Sequence, residues 1–193
     1  MAKREKCEKK REALLNATLQ LINNQGFHDA PMSKIAKLAG VSVGTTYIYF
    51  ENKQDLVNKL YLEMKANLSS YAFDGYSEKM SVKEGFALIW KNIVQYKMTF
   101  REQANFLAQC DNSPMIDKES RMEGLKHIEP LLKLWEKGQN QGIIKKVSLY
   151  ILYAYSLQPI SFLIKISERE NFEMDEKMLE DMFETVWDAI KEK

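Results

Sequence analysis

The sequence predicts an all-α protein, in which a small N-terminal helix-turn-helix domain is joined to a larger C-terminal helical bundle. Only 8 glycines and 4 prolines interrupt the 193 residues, so the chain has few points at which a helix must stop. Hydrophobic residues make up 45% and charged residues 28%, which is typical of a globular protein with a buried apolar core. Between the breakers, apolar residues recur at helical spacing.

The first two helices are predicted from their apolar spacing and their ends. Residues 7–24 carry a helical apolar stripe that stops at Gly26. Pro31 suits the first turn of a second helix, because proline lacks the N–H that would be unpaired there, and Gly40 suits its end. The second helix is therefore expected to be barely two turns long.

The third and fourth helices are predicted from capping residues. Ser42 is a good N-cap for a helix over residues 43–50. Asn52 and Asp55, three residues apart, resemble a capping box at the start of a helix over residues 53–71. Two short helices joined by a glycine-containing turn have helix-turn-helix geometry.

The rest of the chain is predicted to be a helical bundle. After a loop at AFDGYSEKM, helical patterns follow at residues 81–98, 99–111, 116–139, 147–167 and 174–191. Breaks are expected at Asn112–Pro114 and at Gln141–Gly142. We place the domain boundary so that residues 1–54 form the helix-turn-helix domain and residues 55–193 form the second domain.

The third helix has an unusual composition, with one face of small and polar residues. On a helical wheel, the inward face consists of Val43, Thr46 and Phe50. The outward face consists of Gly44, Thr45 and Ile48, and it is flanked by Tyr47 and Tyr49. Glycine within a helix costs about 1 kcal/mol relative to alanine, which suggests close approach of another backbone. Because hydroxyls donate to phosphate oxygens and short side chains let a helix enter a major groove, this face is predicted to contact DNA.

The charge distribution also favours the N-terminal part of the chain as the part that contacts DNA. The net charge is +1 overall, but residues 1–55 carry nine bases and six acids, a net of +3. Residues 168–193 carry ten acids and four bases, a net of −6. Lys53 adds a cation at a predicted helix start, where backbone amides already attract anions. The two ends would therefore behave differently beside a polyanion.

The stretch GFHDAPMSKIAKLAGVSVGTTYIYFENKQDL, residues 26–56, resembles the N-terminal DNA-binding domain of TetR-family transcriptional regulators. The matching pattern runs from Gly-aromatic through Ile-Ala, Ala-Gly-Val-Ser and Gly-Thr to Tyr-x-Tyr-Phe, Lys and Leu. The resemblance implies double-stranded operator DNA as a partner and a homodimer that pairs through its C-terminal helices. It also implies an effector pocket among the central helices, and a repressor that a small molecule releases from DNA.

The resemblance also implies roles for individual residues. Phosphate contacts are implied for Thr45, Tyr47, Tyr49 and Lys53. Contacts with base edges or thymine methyls are implied for Val43, Gly44 and Ile48, and further contacts from the supporting helix for Ser33 and Lys37. The sequence departs from the family pattern at Ala30 and Pro31, so a side-chain cap and a hydroxyl contact with phosphate are expected to be lost. Apolar residues cannot form bidentate hydrogen bonds, so the operator sequence cannot be deduced.

The second domain is rich in large side chains, most of which are expected to be ordinary core. Candidates for lining an effector pocket are Trp90, Tyr96, Phe100, Phe106, Trp135, Tyr153 and Gln158. Pro159 removes a backbone donor inside an apolar helix, and the resulting kink either opens a pocket or only shapes the bundle. The last helix offers a stripe for dimer pairing, formed by Met178, Phe183, Val186, Trp187 and Ile190.

The sequence provides little evidence for catalysis, metal binding, a cofactor or a membrane-spanning segment. His28 and His127 are the only histidines, and Glu123 with His127 would make a poor two-ligand metal site. No nucleophile–base spacing or glycine-rich phosphate loop is present, so we expect no enzyme and no cofactor. The apolar run at residues 149–164 is shorter than the roughly 20 residues of a membrane span. Two cysteines without a CxxC motif favour a cytoplasmic protein with free thiols.

Three alternatives stay open. Within the class, the protein could be a regulator without a small-molecule effector, or an activator. A helical-bundle interaction module would instead use its first domain as a docking surface for another protein. An enzyme is the third alternative, and its titratable candidates are scattered: Cys110, Asp111, Glu123, His127 and Glu129.

Overall fold

The computed structural model describes residues 2–111 and 113–193, which form eleven α-helices and no strand. In chain order the helices are α1 Ala2–Gln25, α2 Met32–Leu38, α3 Val43–Tyr49, α4 Lys53–Ala72, α5 Val82–Thr99, α6 Arg101–Asp111, α7 Lys118–Lys126, α8 Glu129–Asn140, α9 Leu149–Ser156, α10 Gln158–Glu170 and α11 Glu176–Ile190. The all-α prediction is confirmed.

Two predicted helices are each divided in the structure, and a proline explains both divisions. The pattern over residues 116–139 is two helices, α7 and α8, because Pro130 lies in the first turn of α8 and cannot donate to a preceding turn. The pattern over residues 147–167 is divided at Leu157, with Pro159 in the first turn of α10. The predicted break at Gln141–Gly142 is confirmed. In the other predicted break, Asn112 lies outside the described residues.

The first compact unit consists of Met1–Asn67 together with Arg101–Leu125. Helix α1 packs against α2 and α6, and α2 packs against α3. The largest fully buried side chains of this unit include Leu14, Ile22, Ile35, Phe50, Leu56, Leu60 and Phe106. The compact unit therefore extends beyond residue 54 and includes α6 and α7, so the division at residues 54 and 55 stays a functional prediction.

The second compact unit consists of Leu68–Phe100 together with Lys126–Lys193. Helix α5 packs against α8, and α9 packs against α10 and α11. Phe86 lies at the centre of this core, with the rings of Trp135, Phe183 and Trp187 at centroid distances of 6.5, 6.0 and 6.0 Å. These aromatic contacts join α5, α8 and α11 into one apolar layer.

At the break between α9 and α10, a backbone carbonyl accepts a hydrogen bond from a core side chain. The indole Nε1 of Trp90 donates to the backbone oxygen of Ser156 over 3.0 Å, and both groups are buried. One carbonyl at the end of α9 therefore has a partner in the core, although the helix is interrupted here. By length and composition alone, Leu149–Glu170 could cross a membrane, with a mean hydropathy of 1.3 and 28% of its most apolar stretch buried.

Candidate nucleic-acid interface

The turn between α2 and α3 is built by local backbone geometry. Gly40 adopts a φ of +68°, in the left-handed region that favours glycine. The N–H of Val41 then donates to the carbonyl of Ala36 over 3.0 Å. Ser42 is the N-cap of α3 as predicted, because its Oγ accepts from the N–H of Thr45 at 3.1 Å. At the start of α2, Pro31 provides no side-chain cap, as expected.

Helix α3 presents the predicted outward face. Ile48 is 79% exposed and Tyr47 is 54% exposed, whereas Thr46 and Phe50 are buried in the unit. The predicted inward position of Val43 is wrong, because this side chain is 41% exposed. Val43 is the first residue of the helix, where no preceding turn covers its side chain. Tyr47 lies one turn after Val43 and Ile48 one turn after Gly44, so these exposed residues are neighbours on the surface of α3.

Gly44 leaves open space above the helix. A Cβ atom at this position would meet only the Oγ of Ser42, at 3.9 Å, within the chain. No close neighbour within the described chain therefore requires glycine here. The adjacent Thr45 hydroxyl lies 2.8 Å from the Ser42 hydroxyl. At Gly44 the helix surface therefore has no protruding side chain, and hydroxyl groups lie next to it.

Tyr49 flanks the same face and contacts α1. A hydrogen bond with Cys7 raises the pKa of Tyr49, and burial raises it further. On the supporting helix α2, Ser33 and Lys37 are both exposed. The structure therefore brings eight of the nine predicted DNA-contacting residues to exposed or half-buried positions on α2 and α3, and the ninth, Lys53, is half-buried at the start of α4.

The ninth residue, Lys53, is directed into its own domain. Its Nζ donates to the backbone oxygen of Phe27 over 2.6 Å and lies 4.1 Å from the centroid of the Phe27 ring. Burial lowers the pKa of Lys53, while the charge of Asp29 opposes that shift. The sequence predicts a phosphate contact for this residue, and the structure shows one of its three ammonium donors on the loop between α1 and α2.

The start of α4 is also held by residues that sequence reasoning missed. The side-chain amide of Gln54 donates to the Met115 carbonyl at 2.6 Å. One turn later, Asn58 donates to the carboxylate of Asp117. These partners lie 61 and 59 residues away, and no local pattern in the sequence indicates such pairing. The predicted Asn52–Asp55 cap is present, since Asn52 Oδ1 accepts from the Asp55 N–H at 2.9 Å.

The candidate pocket residues fall into both compact units. Trp90, Tyr96, Phe100, Trp135, Tyr153 and Gln158 belong to the second unit, whereas Phe106 belongs to the first and is fully buried there. Trp90, Tyr96 and Trp135 are buried core residues, and burial raises the pKa of Tyr96 to about 12. Phe100 is exposed, and Tyr153 and Gln158 are half-buried.

Trp135 differs from the other candidates in its hydrogen bonding. Its Nε1 is buried and has no hydrogen-bond partner among the residues that the structure describes. A buried donor left unpaired costs about 1–3 kcal/mol. Within residues 2–111 and 113–193, no three His, Cys, Asp or Glu side chains are grouped to hold a metal ion.

A second surface lies on α9, α10 and α11. Tyr155 and Phe162 are 63% and 64% exposed there. Tyr155 lines an open groove of about 430 Å³, mainly together with Pro159, Leu163, Met178, Met182 and Val186. Large apolar side chains that are exposed next to each other typically mark a protein contact surface.

A helix-turn-helix with an exposed second helix is the arrangement by which many DNA-binding transcription regulators place a recognition helix in the major groove. Residues 14–60 match the model for bacterial regulatory proteins of the tetR family. Residues 81–191, more than half of the chain, match the tetracyclin repressor-like C-terminal domain. The chain belongs to the TetR family, whose members are transcriptional regulators and not enzymes. The predicted family and the predicted non-enzymatic class are confirmed.

Relatives and solved structures agree with this assignment along the whole chain. An uncharacterized HTH-type transcriptional regulator of Haemophilus influenzae is 24% identical over 93% of this chain and 95% of its own. A TetR family transcription regulator from Marinobacter aquaeolei VT8 superposes with a TM-score of 0.90, at 26% identity and full coverage of both chains. The Bacillus subtilis FadR in complex with stearoyl-CoA has the same fold, with a TM-score of 0.66, 21% identity, and 92% and 95% coverage.

Proposed function

We propose that this protein is a cytoplasmic repressor that binds operator DNA as a homodimer and is released by a small molecule. The observation that carries the proposal is the exposed face of α3, where Ile48 and Tyr47 extend to solvent beside Gly44. A face of this kind fits a major groove, because small residues permit close approach while hydroxyls reach the flanking phosphates. Residues 1–54 would bind DNA and residues 55–193 would bind effector and partner.

The contacts are assigned by exposure and chemistry. Thr45, Tyr47 and Tyr49 would donate to phosphates, and Val43, Gly44 and Ile48 would meet base edges or thymine methyls. Ser33 and Lys37 on α2 would add contacts to the backbone of the duplex. Lys53 at the start of α4 would add a phosphate contact, since the Phe27 oxygen accepts from only one of the three donors of its ammonium group.

The homodimer is supported by the second surface. The groove and the exposed rings of α9 and α10 would be covered by the same surface of a second copy, as in a two-fold interface. Two copies would then present two α3 helices to successive major grooves, which is how helix-turn-helix dimers bind operators with two half-sites. A monomer would bind only one half-site.

Release by an effector is supported by the unpaired Nε1 of Trp135. A ligand acceptor at this atom would favour a protein conformation with different spacing of the two DNA-binding domains, and the population would shift away from the operator-bound form. Stearoyl-CoA, which the Bacillus subtilis FadR binds in its crystal structure, is a reasonable first probe, with free stearate and coenzyme A alongside.

DNA binding is tested by titration with the DNA that flanks the gene of this protein, and with operators selected from random DNA, at several salt concentrations. Each phosphate contact contributes about −0.9 to the slope of log affinity against log salt. We expect Lys37→Ala to weaken binding and flatten this slope. Lys34→Ala is the matched control on the same helix, because Lys34 donates to Gln25 and to the Asp29 carbonyl within the domain.

Three results would contradict parts of this proposal. Salt-insensitive binding would favour a protein-interaction module, because an apolar interface does not release counterions. Transcription that rises when the protein occupies its operator would indicate an activator.

The effector proposal is tested by the ¹H–¹⁵N indole resonance of Trp135, with Trp135→Phe for assignment and Trp90 and Trp187 as internal references. If no probe shifts that resonance or releases DNA, a regulator without these effectors is favoured.

A further inference from the structure

Ser42 and Thr45 hold their hydroxyl groups together at the start of α3. Their oxygen atoms, Ser42 Oγ and Thr45 Oγ1, are 2.8 Å apart and share a hydrogen bond. The same Ser42 Oγ accepts from the backbone N–H of Thr45 at 3.1 Å. Both hydrogen bonds lie at the surface of the domain. The Ser42 side chain therefore has a second partner besides the helix N–H that it caps.

The number of protons on the two hydroxyls limits how many acceptors they can bind. Each hydroxyl has one proton to donate and two lone pairs with which to accept. One of the two protons lies between the oxygens of Ser42 and Thr45. The other proton remains for an acceptor outside this pair. The pair can therefore donate one hydrogen bond to DNA, and the question is which of the two hydroxyls donates it.

The backbone N–H of Thr45 favours one direction for the hydrogen bond between the hydroxyls. A hydroxyl that accepts a hydrogen bond becomes a stronger donor, because hydrogen bonds in a chain polarise one another. Ser42 accepts from a helix N–H, so Ser42 is the better donor of the pair and Thr45 is the acceptor. The proton of Thr45 is then the free one. A phosphate oxygen that receives it would extend a chain in which every hydrogen bond runs the same way.

We propose that Ser42 is a positioning residue for the DNA contact of Thr45, because it donates to Thr45 Oγ1 and leaves the Thr45 proton for a phosphate oxygen. This inference rests on the proposed function, in which Thr45 donates to phosphate. It assigns to Ser42 a role beyond capping α3. A cap that accepts hydrogen bonds but has no hydroxyl would stabilise α3 and still weaken DNA binding, since it would take the Thr45 proton for itself.

The test replaces Ser42 with asparagine in the full-length protein. Asparagine is as good an N-cap as serine, but its side-chain oxygen has no proton to donate. Thr45 would donate to that oxygen, so we expect Ser42→Asn to bind operator about tenfold more weakly, as Thr45→Val should. The melting temperature of Ser42→Asn should stay close to that of wild type. Ser42→Thr keeps the hydroxyl and should keep the affinity.

A double variant distinguishes positioning from a direct contact between Ser42 and DNA. If Ser42 acts through Thr45, Ser42→Asn should cause no further loss of affinity in the Thr45→Val background. A direct contact would weaken binding by the same factor in both backgrounds. The slope of log affinity against log salt should be unchanged in every variant, because none of these substitutions removes a cation.

The outcomes separate this inference from the proposed function. Operator binding by wild type together with unchanged affinity in Ser42→Asn or in Thr45→Val would overturn the inference and leave the proposed function standing. Equal losses from Ser42→Asn in the two backgrounds would overturn it as well. If the wild-type protein binds no DNA, the proposed function fails and this inference fails with it. If Ser42→Asn is unfolded by circular dichroism, Ser42→Gly replaces it, because glycine is also accepted at an N-cap, and additive effects of Ser42→Gly and Thr45→Val then overturn the inference.

Discussion

Two surfaces of this molecule expose large apolar side chains, and they differ in what surrounds those side chains. On α3, Ile48 is the most exposed apolar residue, and its neighbours are Gly44, Thr45 and Tyr47. On α9, Tyr155 lines a groove whose other side chains are mostly methionine, leucine and valine, with Asp181 and Thr185, and Phe162 is exposed on α10. Exposure alone does not indicate the partner, because hydroxyls around an apolar residue suit a DNA groove whereas a continuous apolar surface suits a protein.

The charges of the two regions strengthen the contrast. Residues 1–55 carry a net charge of +3, and residues 168–193 carry −6. A polyanion is attracted to the first region and repelled by the second. The acidic residues of α11 therefore discourage DNA from the very surface that is apolar enough to bind a second copy.

The largest effect should follow from a charge placed on the apolar surface. Phe162→Glu puts a carboxylate on a ring position that is 64% exposed in one copy. We expect a monomeric protein by sedimentation velocity and an operator affinity at least about 100-fold weaker, because the two half-sites are no longer bound together. Met122→Glu on α7 is the control, since Met122 is 60% exposed outside this surface. A Phe162→Glu dimer with normal affinity would place the interface elsewhere.

A smaller effect should follow from removal of one hydroxyl. Tyr47→Phe keeps the ring and deletes the proposed phosphate donor, so we expect binding about three- to tenfold weaker on all DNA sequences, as for the loss of one hydrogen bond. Tyr155→Phe is the same change at a similarly exposed position, 63% against 54%, and should leave DNA affinity unchanged. Equal losses in both variants would remove the distinction between the two surfaces. Circular dichroism should show unchanged helicity in each.

The two regions also differ in how far the sequence predicts them. In the first unit, Ser42 caps α3, Thr46 and Phe50 are buried, and Ile48 is exposed, all as local spacing predicts. Capping and helical periodicity act over a few residues, so a single sequence contains the necessary information. The position of Lys53 could not be predicted in this way, because its partner Phe27 lies 26 residues away across the fold.

In the second unit the helices could be predicted, but their breaks and their surfaces could not. Pro130 and Pro159 each start a new helix, although an apolar pattern continues through both positions. The large aromatic residues could not be sorted into core and surface, because Trp135 and Phe162 occupy similar apolar helical patterns while only Trp135 is buried. Which face of an almost wholly apolar helix is covered depends on tertiary packing.

The interiors of the two compact units can be compared by titration. Burial raises the pKa of Tyr61 in the first unit and of Tyr96 in the second, each to about 12. The folded state then holds both protons while the unfolded state releases them above pH 10, so stability is present below pH 10 and is lost as pH rises toward 12. We expect a loss of about 1–2 kcal/mol by pH 11, allowing for solvent screening. The free energy of unfolding, measured by chemical denaturation at pH 9 and at pH 11, reports this loss.

Phenylalanine variants assign that loss to the two interiors. Tyr61→Phe and Tyr96→Phe should each remove a similar part of the decline, because desolvation is the main cause at both sites. If only one variant alters the pH dependence, the two units have interiors of different polarity.

The smallest effect, and the most specific test of the α3 surface, is expected from Gly44→Ala. Alanine is favoured over glycine within a helix by about 0.5–1 kcal/mol, and the added methyl would contact only Ser42 Oγ at 3.9 Å. The free protein should therefore be slightly more stable in thermal unfolding. Operator affinity should nevertheless fall several-fold, because one methyl group would separate α3 from the groove. A variant that gains stability and keeps its affinity would show that DNA does not approach Gly44, and the proposed orientation of α3 would have to change.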